Sequence, residues 1–180
     1  MKKATLTFFA ILFIFTVFAP RNAHAVMIFD GHWYEAIFVE SGNWNDAQAE
    51  AVALGGNLVT INNENEQNWL HSNFDSSIRY WIGFTDFGHE ADWQWISGEP
   101  VTCTHWLDGE PNNHIGLEHF AAMNYPIEVT PGGGFWNDFS VDNTYPNGTT
   151  TKIDYGIAEG ITAVIPNPNP QLSYFLARVC

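Results

Sequence analysis

Six residues between positions 110 and 138 carry oxygen donors and no sulfur: Glu110, Asn112, Asn113, Glu118, Asn137 and Asp138. Three carboxylates and three amides are hard ligands, suited to calcium rather than to zinc or copper. Pro111 stands between Glu110 and Asn112, where a cis peptide would turn the two flanking side chains toward one point. Trp136 precedes the Asn137-Asp138 pair and can anchor it by burying its ring. The same stretch offers rival chemistries. Glu110 and Glu118 could be a glycosidase acid and nucleophile, but the neighbouring asparagines suit coordination better. His105, His114 and His119 could ligate zinc, but they lack a tight metal-binding spacing. No nucleophile elbow, phosphate loop or redox motif occurs, so the chain reads as a binding protein and not an enzyme.

These ligands lie in a stretch, from Ser97 to about Phe139, where hydrophobic periodicity mostly fades. Only Phe120 to Asn124 reads as a strand within it. A long irregular stretch in a compact domain is usually functional. Regular elements must therefore frame it. Gly31 to Val39 reads as a first strand. Trp44 to Leu54 spaces Trp44, Ala47, Ala51 and Leu54 as one helical stripe, and Gly55-Gly56 ends it. Asn62-Asn63 caps a second helix whose apolar positions are Trp69, Leu70 and Phe74. Arg79 to Thr85, RYWIGFT, is the strongest strand, rich in aromatic and β-branched residues. Trp93 to Ile96 alternates as a further strand, and Tyr155 to Ala158 reads as a late one.

The order of these pieces resembles the C-type lectin-like domain family. The match runs from about Gly31 to Glu159. It includes Leu54-Gly55-Gly56-Asn57-Leu58, Trp81-Ile82-Gly83-Phe84, Trp93-Gln94-Trp95 with Gly98, Glu110-Pro111-Asn112-Asn113, Gly116, Glu118, Trp136-Asn137-Asp138 and Gly156-Ile157-Ala158-Glu159. The resemblance implies an α+β fold, two helices flanking antiparallel β-sheets, with a long calcium-binding loop. It implies that Glu110, Asn112, Glu118, Asn137 and Asp138 ligate one calcium. Two neighbouring sugar hydroxyls would complete its coordination and hydrogen-bond to Glu110, Asn112, Glu118 and Asn137. In this family Glu-Pro-Asn accompanies mannose-like sugars, including glucose, N-acetylglucosamine and fucose, whereas Gln-Pro-Asp accompanies galactose. The resemblance also suggests an auxiliary calcium held by Asp86, Glu90, Asn113 and Glu118, although His119 stands where an Asp is common and is a poor calcium ligand. A protein-binding or surface-adhesion module on the same fold is the alternative, because fold does not dictate function.

The cysteines depart from the family, which usually has two disulfides. Its four positions correspond to Ala51, Phe120, Val141 and Ala158, so two apolar pairs, Ala51 with Ala158 and Phe120 with Val141, stand in for the bridges. Cys103 and Cys180 fall elsewhere, and a bond between them remains open.

The ends of the chain add an address. Lys2 and Lys3, the apolar run Ala4–Ala19 and the small residues Ala23 and Ala25 read as a cleaved signal peptide over residues 1–25, bacterial in style. That implies a secreted, periplasmic or extracellular domain over 26–165, with a Pro/Asn-rich tail over 166–180. Losing the leader removes Lys2, Lys3 and Arg21 but no acid, so a net charge of -14 becomes more negative still. Such a chain repels nucleic acid and anionic membranes, and nothing after the leader could insert in a bilayer. Asn147-Gly148-Thr149 is a glycosylation sequon that matters only in a eukaryote.

Overall fold

The computed structural model describes residues 25–125, 133–142, 144, 148 and 153–162. The leader through residue 24, the tail, Asn147 and Cys180 lie outside them. In chain order the strands and helices are β1 (Met27–Phe29), β2 (His32–Phe38), α1 (Trp44–Ala53), β3 (Asn57–Leu58), α2 (Glu64–Asn73), β4 (Tyr80–Thr85), β5 (Gln94–Trp95), β6 (Phe120–Met123), β7 (Asn137–Phe139) and β8 (Tyr155–Ile161). A short 3-10 turn covers His114–Gly116.

Both helices begin where an asparagine can satisfy orphan amides. Asn43 accepts from the Asn45 amide at the start of α1, and Asn63 accepts from the Glu66 amide at the start of α2. Gly55, at φ 92°, follows the last turn of α1, where a side chain would strain the left-handed conformation. Gly56 is required for a different reason: a Cβ there would lie 1.9 Å from the Glu159 carbonyl oxygen on β8.

The sheet runs β1-β2-β8-β4-β6-β7, with β3 added to β8 and β5 to β4. Most pairs are antiparallel. β4 and β8 run parallel, with Tyr80 opposite Tyr155 and Trp81 opposite Gly156, so the sheet is mixed and not wholly antiparallel as expected. Period-two alternation divides the side chains between two cores. On β4, Trp81 enters the core beneath α1, while Tyr80, Ile82 and Phe84 enter the other. On β6, Phe120 and Ala122 face the first, and Ala121 and Met123 the second. The first core takes Trp44, Ala47 and Ala51 from α1, and also holds Ala158, with Val141 packed at its margin. The four residues at the family's cysteine positions therefore share one apolar cluster. The second core takes Leu70 from α2 with the adjoining Phe74, and Trp136 from the ligand-bearing segment. Trp69, expected in the apolar stripe, is half-buried, packs against this second core and stacks on Phe29.

Two of the buried indoles are also polar anchors at the seam between α1 and β4. Trp44 donates to the Ile82 carbonyl at 2.9 Å and Trp81 to the Gly42 carbonyl at 3.1 Å. Each tie joins the loop entering α1, or α1 itself, to β4, and leaves no indole proton unpaired at that seam.

Candidate functional site

β7 supplies the centre of the site. It pairs with β6 so that Asn137 lies opposite Ala122 and Asp138 opposite Ala121. Trp136 fixes the strand's entry: its amide donates to His105 and its carbonyl accepts from Leu107, at 2.8 and 2.9 Å. Its ring is fully buried, and its indole donates to Gln67 on α2 at 2.9 Å. Gln67 also donates to the Gly134 carbonyl at 2.9 Å. One buried glutamine thus holds both ends of the segment leading into Asn137.

Asp138 is completely buried and organises the loop around it. One carboxylate oxygen accepts the Asn112 amide at 3.2 Å, the other the Asn113 amide at 2.8 Å. Glu118, also buried, accepts the His114 amide at 2.9 Å, and its own amide donates to the Asn113 side chain at 3.1 Å. The Glu110–Pro111 peptide is cis, as expected, and Asn113 and Ile115 turn through left-handed conformations. Asp138 thereby holds the loop at Asn112 and Asn113, Glu118 holds it at His114, and Asn113 braces the turn between them.

The site's electrostatics are those of crowded acids. Glu110 is pushed up to about 7 by burial, then by the charge of Asp138, a hydrogen bond with it, and the charge of Glu118. No lysine or arginine contributes to that shift. Two further atoms show what the arrangement lacks. Glu110 Oε2 and Asn137 Oδ1 are buried with no hydrogen-bond partner among the described residues. Buried acceptors left unpaired are costly, and a cation satisfies them directly. The donor set fits calcium: all oxygen, carboxylate and amide, net negative.

Of the four residues expected to hold a second ion, Asp86 and Glu90 converge, and the third side chain beside them is His119. Asn113 and Glu118 make their described hydrogen bonds to each other, to Asp138 and to His114 instead. His105 stacks on Phe135 and joins no metal-ligating group among the described residues, nor does His114. Trp106 packs edge-on against Trp93 and Trp136, and Tyr125 against Phe139 beneath Arg79, so both pack within the domain. Gln67 escaped sequence reasoning. Its signal was present, a polar residue on the same helical stripe as Leu70 and Phe74.

The family profile of the lectin C-type domain matches residues 40–146. The chain belongs to the C-type lectin domain family. The galactose-specific lectin nattectin of Thalassophryne nattereri is 34% identical over 102 residues, which are 54% of this chain and 60% of nattectin. The curated relatives it matches first are spanned over 21% to 60% of their length. The carbohydrate-recognition domain of the mouse scavenger receptor C-type lectin superposes with a TM-score of 0.60 at 28% identity, covering 76% of this chain and 95% of that one. Herring type II antifreeze protein shares the fold, with a TM-score of 0.62 at 23% identity, covering 76% and 95%. This C-type lectin domain thus has the fold of known carbohydrate-recognition domains. Homologues of the family are carbohydrate-binding proteins and not enzymes.

Proposed function

We propose that this domain binds carbohydrate through a calcium ion held by Glu110, Asn112, Glu118, Asn137 and Asp138, and that it prefers mannose, glucose or fucose-type sugars. The observation that supports the reading is the pair of buried acceptors without a hydrogen-bond partner among the described residues, Glu110 Oε2 and Asn137 Oδ1. Calcium, when bound, supplies a coordination point for two adjacent sugar hydroxyls. The chain's own groups do the rest. Carboxylates of Glu110 and Glu118 accept from hydroxyls, and the amides of Asn112 and Asn137 donate to them. Asn112 is exposed and Glu110 half-buried, which leaves this edge open to a ligand from solvent. The preference for mannose-type sugars rests on Glu110-Pro111-Asn112, although one relative is named as galactose-specific. The leader-like residues 1–25 support export from the cell, and the domain needs no catalytic group for this role.

A glycan array read with calcium and again with EDTA tests the reading. Mannose-type binding is expected with calcium and is expected to vanish in EDTA. Glu110→Gln with Asn112→Asp is expected to move preference toward galactose. Binding that survives EDTA overturns the calcium mechanism. A double variant with unchanged preference overturns the ligand assignment. The shared antifreeze fold keeps a protein-binding or adhesion module as the second reading, which an array without any sugar signal would favour.

A further inference from the structure

Between Asn113 and Glu118 the chain makes a tight turn, and both ends of it are tied to carboxylates of the proposed calcium seat. The Asn113 amide donates to Asp138 at 2.8 Å, and the His114 amide donates to Glu118 at 2.9 Å. The backbone is left-handed at Asn113, Ile115 and Gly116, with φ of 44°, 53° and 74°. Glycine takes that conformation freely, and asparagine takes it at little cost. Isoleucine does not. A β-branched residue there is an outlier, and such strain persists only where the surroundings impose it.

The fold has no evident use for this side chain. Ile115 is 57% exposed and belongs to neither apolar core. Glycine would meet the needs of the turn without strain. An exposed isoleucine means little by itself, since much of any protein surface is apolar. One held out from a strained backbone is a different case, because strain of this kind gathers at ligand sites. Its neighbours point the same way: Asn112, just before the turn, is exposed, and Leu117 within it is 42% exposed.

We propose that Ile115 is a specificity residue of the carbohydrate site, an apolar rim that selects sugars carrying a methyl group. This rests on the lectin reading given above and deepens it. The proposed seat consists of carboxylates and amides, Glu110, Asn112, Glu118 and Asn137, which recognise hydroxyls. Hydroxyls are common to all hexoses, and such groups gain nothing from a methyl. A branched aliphatic side chain beside them does. Two amide–carboxylate bonds already hold its backbone, so little freedom is lost when a ligand packs against it. Burial of one methyl-sized group is worth about fourfold in affinity. The methyl belongs either to an acetamido group or to a 6-deoxy carbon, and matched sugars tell the two apart.

The test is competition for mannosylated albumin at saturating calcium, with two sugar pairs. N-acetylglucosamine is compared with glucose, and fucose with L-galactose. Each result is a ratio, so a change in calcium affinity cancels. Wild type is expected to favour the methyl-bearing member of one pair by about fourfold, which names the substituent. Ile115→Gly and Ile115→Asn both suit a left-handed backbone and are expected to bring that ratio close to one. Ile115→Leu restores the apolar group and is expected to keep most of the preference. Without calcium, Ile115→Gly is expected to melt no lower than wild type. Ratios unchanged in the Gly and Asn variants overturn the proposal. So do wild-type ratios near one in both pairs, or a lower melting point for Ile115→Gly, which would make the side chain a structural requirement. Wild type that ignores mannosylated albumin in calcium overturns the lectin reading itself, and this proposal with it.

Discussion

The Trp136 indole donates to the Gln67 side-chain oxygen at 2.9 Å, and both groups are buried. Through this bond α2 sets the position of a ligand strand that starts one residue later. Replacing Gln67 with Leu keeps the volume but leaves the indole proton and the Gly134 carbonyl unpaired. A loss of about 1–3 kcal/mol is expected for each buried group left unsatisfied. Urea denaturation of the calcium-free protein checks the loss, and a calcium titration of the same variant is expected to show weakened affinity, although residue 67 is no ligand.

Asp138 receives two backbone amides and offers no donor in return. Asp138→Asn places an NH2 group against one of those amides and removes a negative charge from the ion's seat. Calcium affinity is expected to fall by about a hundredfold or more, sugar binding with it. Circular dichroism in the absence of calcium should stay close to wild type if the loss is local. Retained calcium affinity would show that Asp138 is only a brace.

Glu110 gives the site a pH dependence whose sign can be worked out. Its carboxyl titrates at about 7 in the folded, metal-free protein, against an ordinary 4.5. Calcium needs the ionised form, so below about pH 7 binding must expel a proton, and apparent affinity is expected to drop about tenfold per pH unit. The metal-free fold behaves oppositely. A folded-state value raised above the unfolded one stabilises below the unfolded value and loses that contribution as pH rises through the folded one. Melting curves should therefore converge with and without calcium near pH 5 and separate most at pH 8, where the ion adds stability by binding only the folded state. A calcium affinity that is flat from pH 8 to pH 5 would contradict the assignment of Glu110.

A second acidic group lies at the other end of the sheet. Tyr34 donates its hydroxyl to Glu66 at 2.6 Å and stands 3.4 Å from Glu159, with both carboxylates buried. Burial lifts Glu159 above the ordinary carboxylate range, against the Thr60 amide and His32. Burial would lower His32, but the hydrogen bond and charge of Glu159, with Glu66 and Glu99, leave it raised. Both folded values exceed their unfolded ones, 4.5 and 6.5, so the group's stabilising contribution falls as pH rises through that window and beyond. Tyr34→Phe removes the hydroxyl proton that lies between the two carboxylates. It is expected to lose about 1.5–3 kcal/mol, more at pH 8 than at pH 5, by chemical denaturation at the two pH values.

Local signals carried much of this architecture. The Trp44, Ala47, Ala51 stripe and the capping asparagines define α1 and α2 within a residue or so, and RYWIGFT becomes β4. The oxygen-rich loop could be read directly from its residue types, whereas the five proposed calcium ligands came from the family resemblance. What stayed hidden depends on distant partners. Glu66 and Glu159, with 92 positions between them, come together at Tyr34 because β8 returns beside β2. β1 was not read, since three residues carry too little periodicity, and Asp30 and Gly31 turn it back on β2. β7 is just three residues long and buried on both faces, so no alternation marks it. His119 looked like a poor calcium ligand, and its neighbours Asp86 and Glu90 were legible without it. The meeting of all three needed the β4–β6 pairing.

Ala51 and Ala158, each with no exposed surface, lie in one apolar cluster, at positions where the family resemblance implies a disulfide. Methyl groups close that seam as soon as water is expelled, with no oxidant and no isomerase. Completion of the domain is thereby uncoupled from thiol chemistry, and a strongly reducing compartment poses no obstacle to it at this seam. On the proposed reading, the supply of a divalent ion, and not oxidative maturation, then decides when the ligand loop becomes competent.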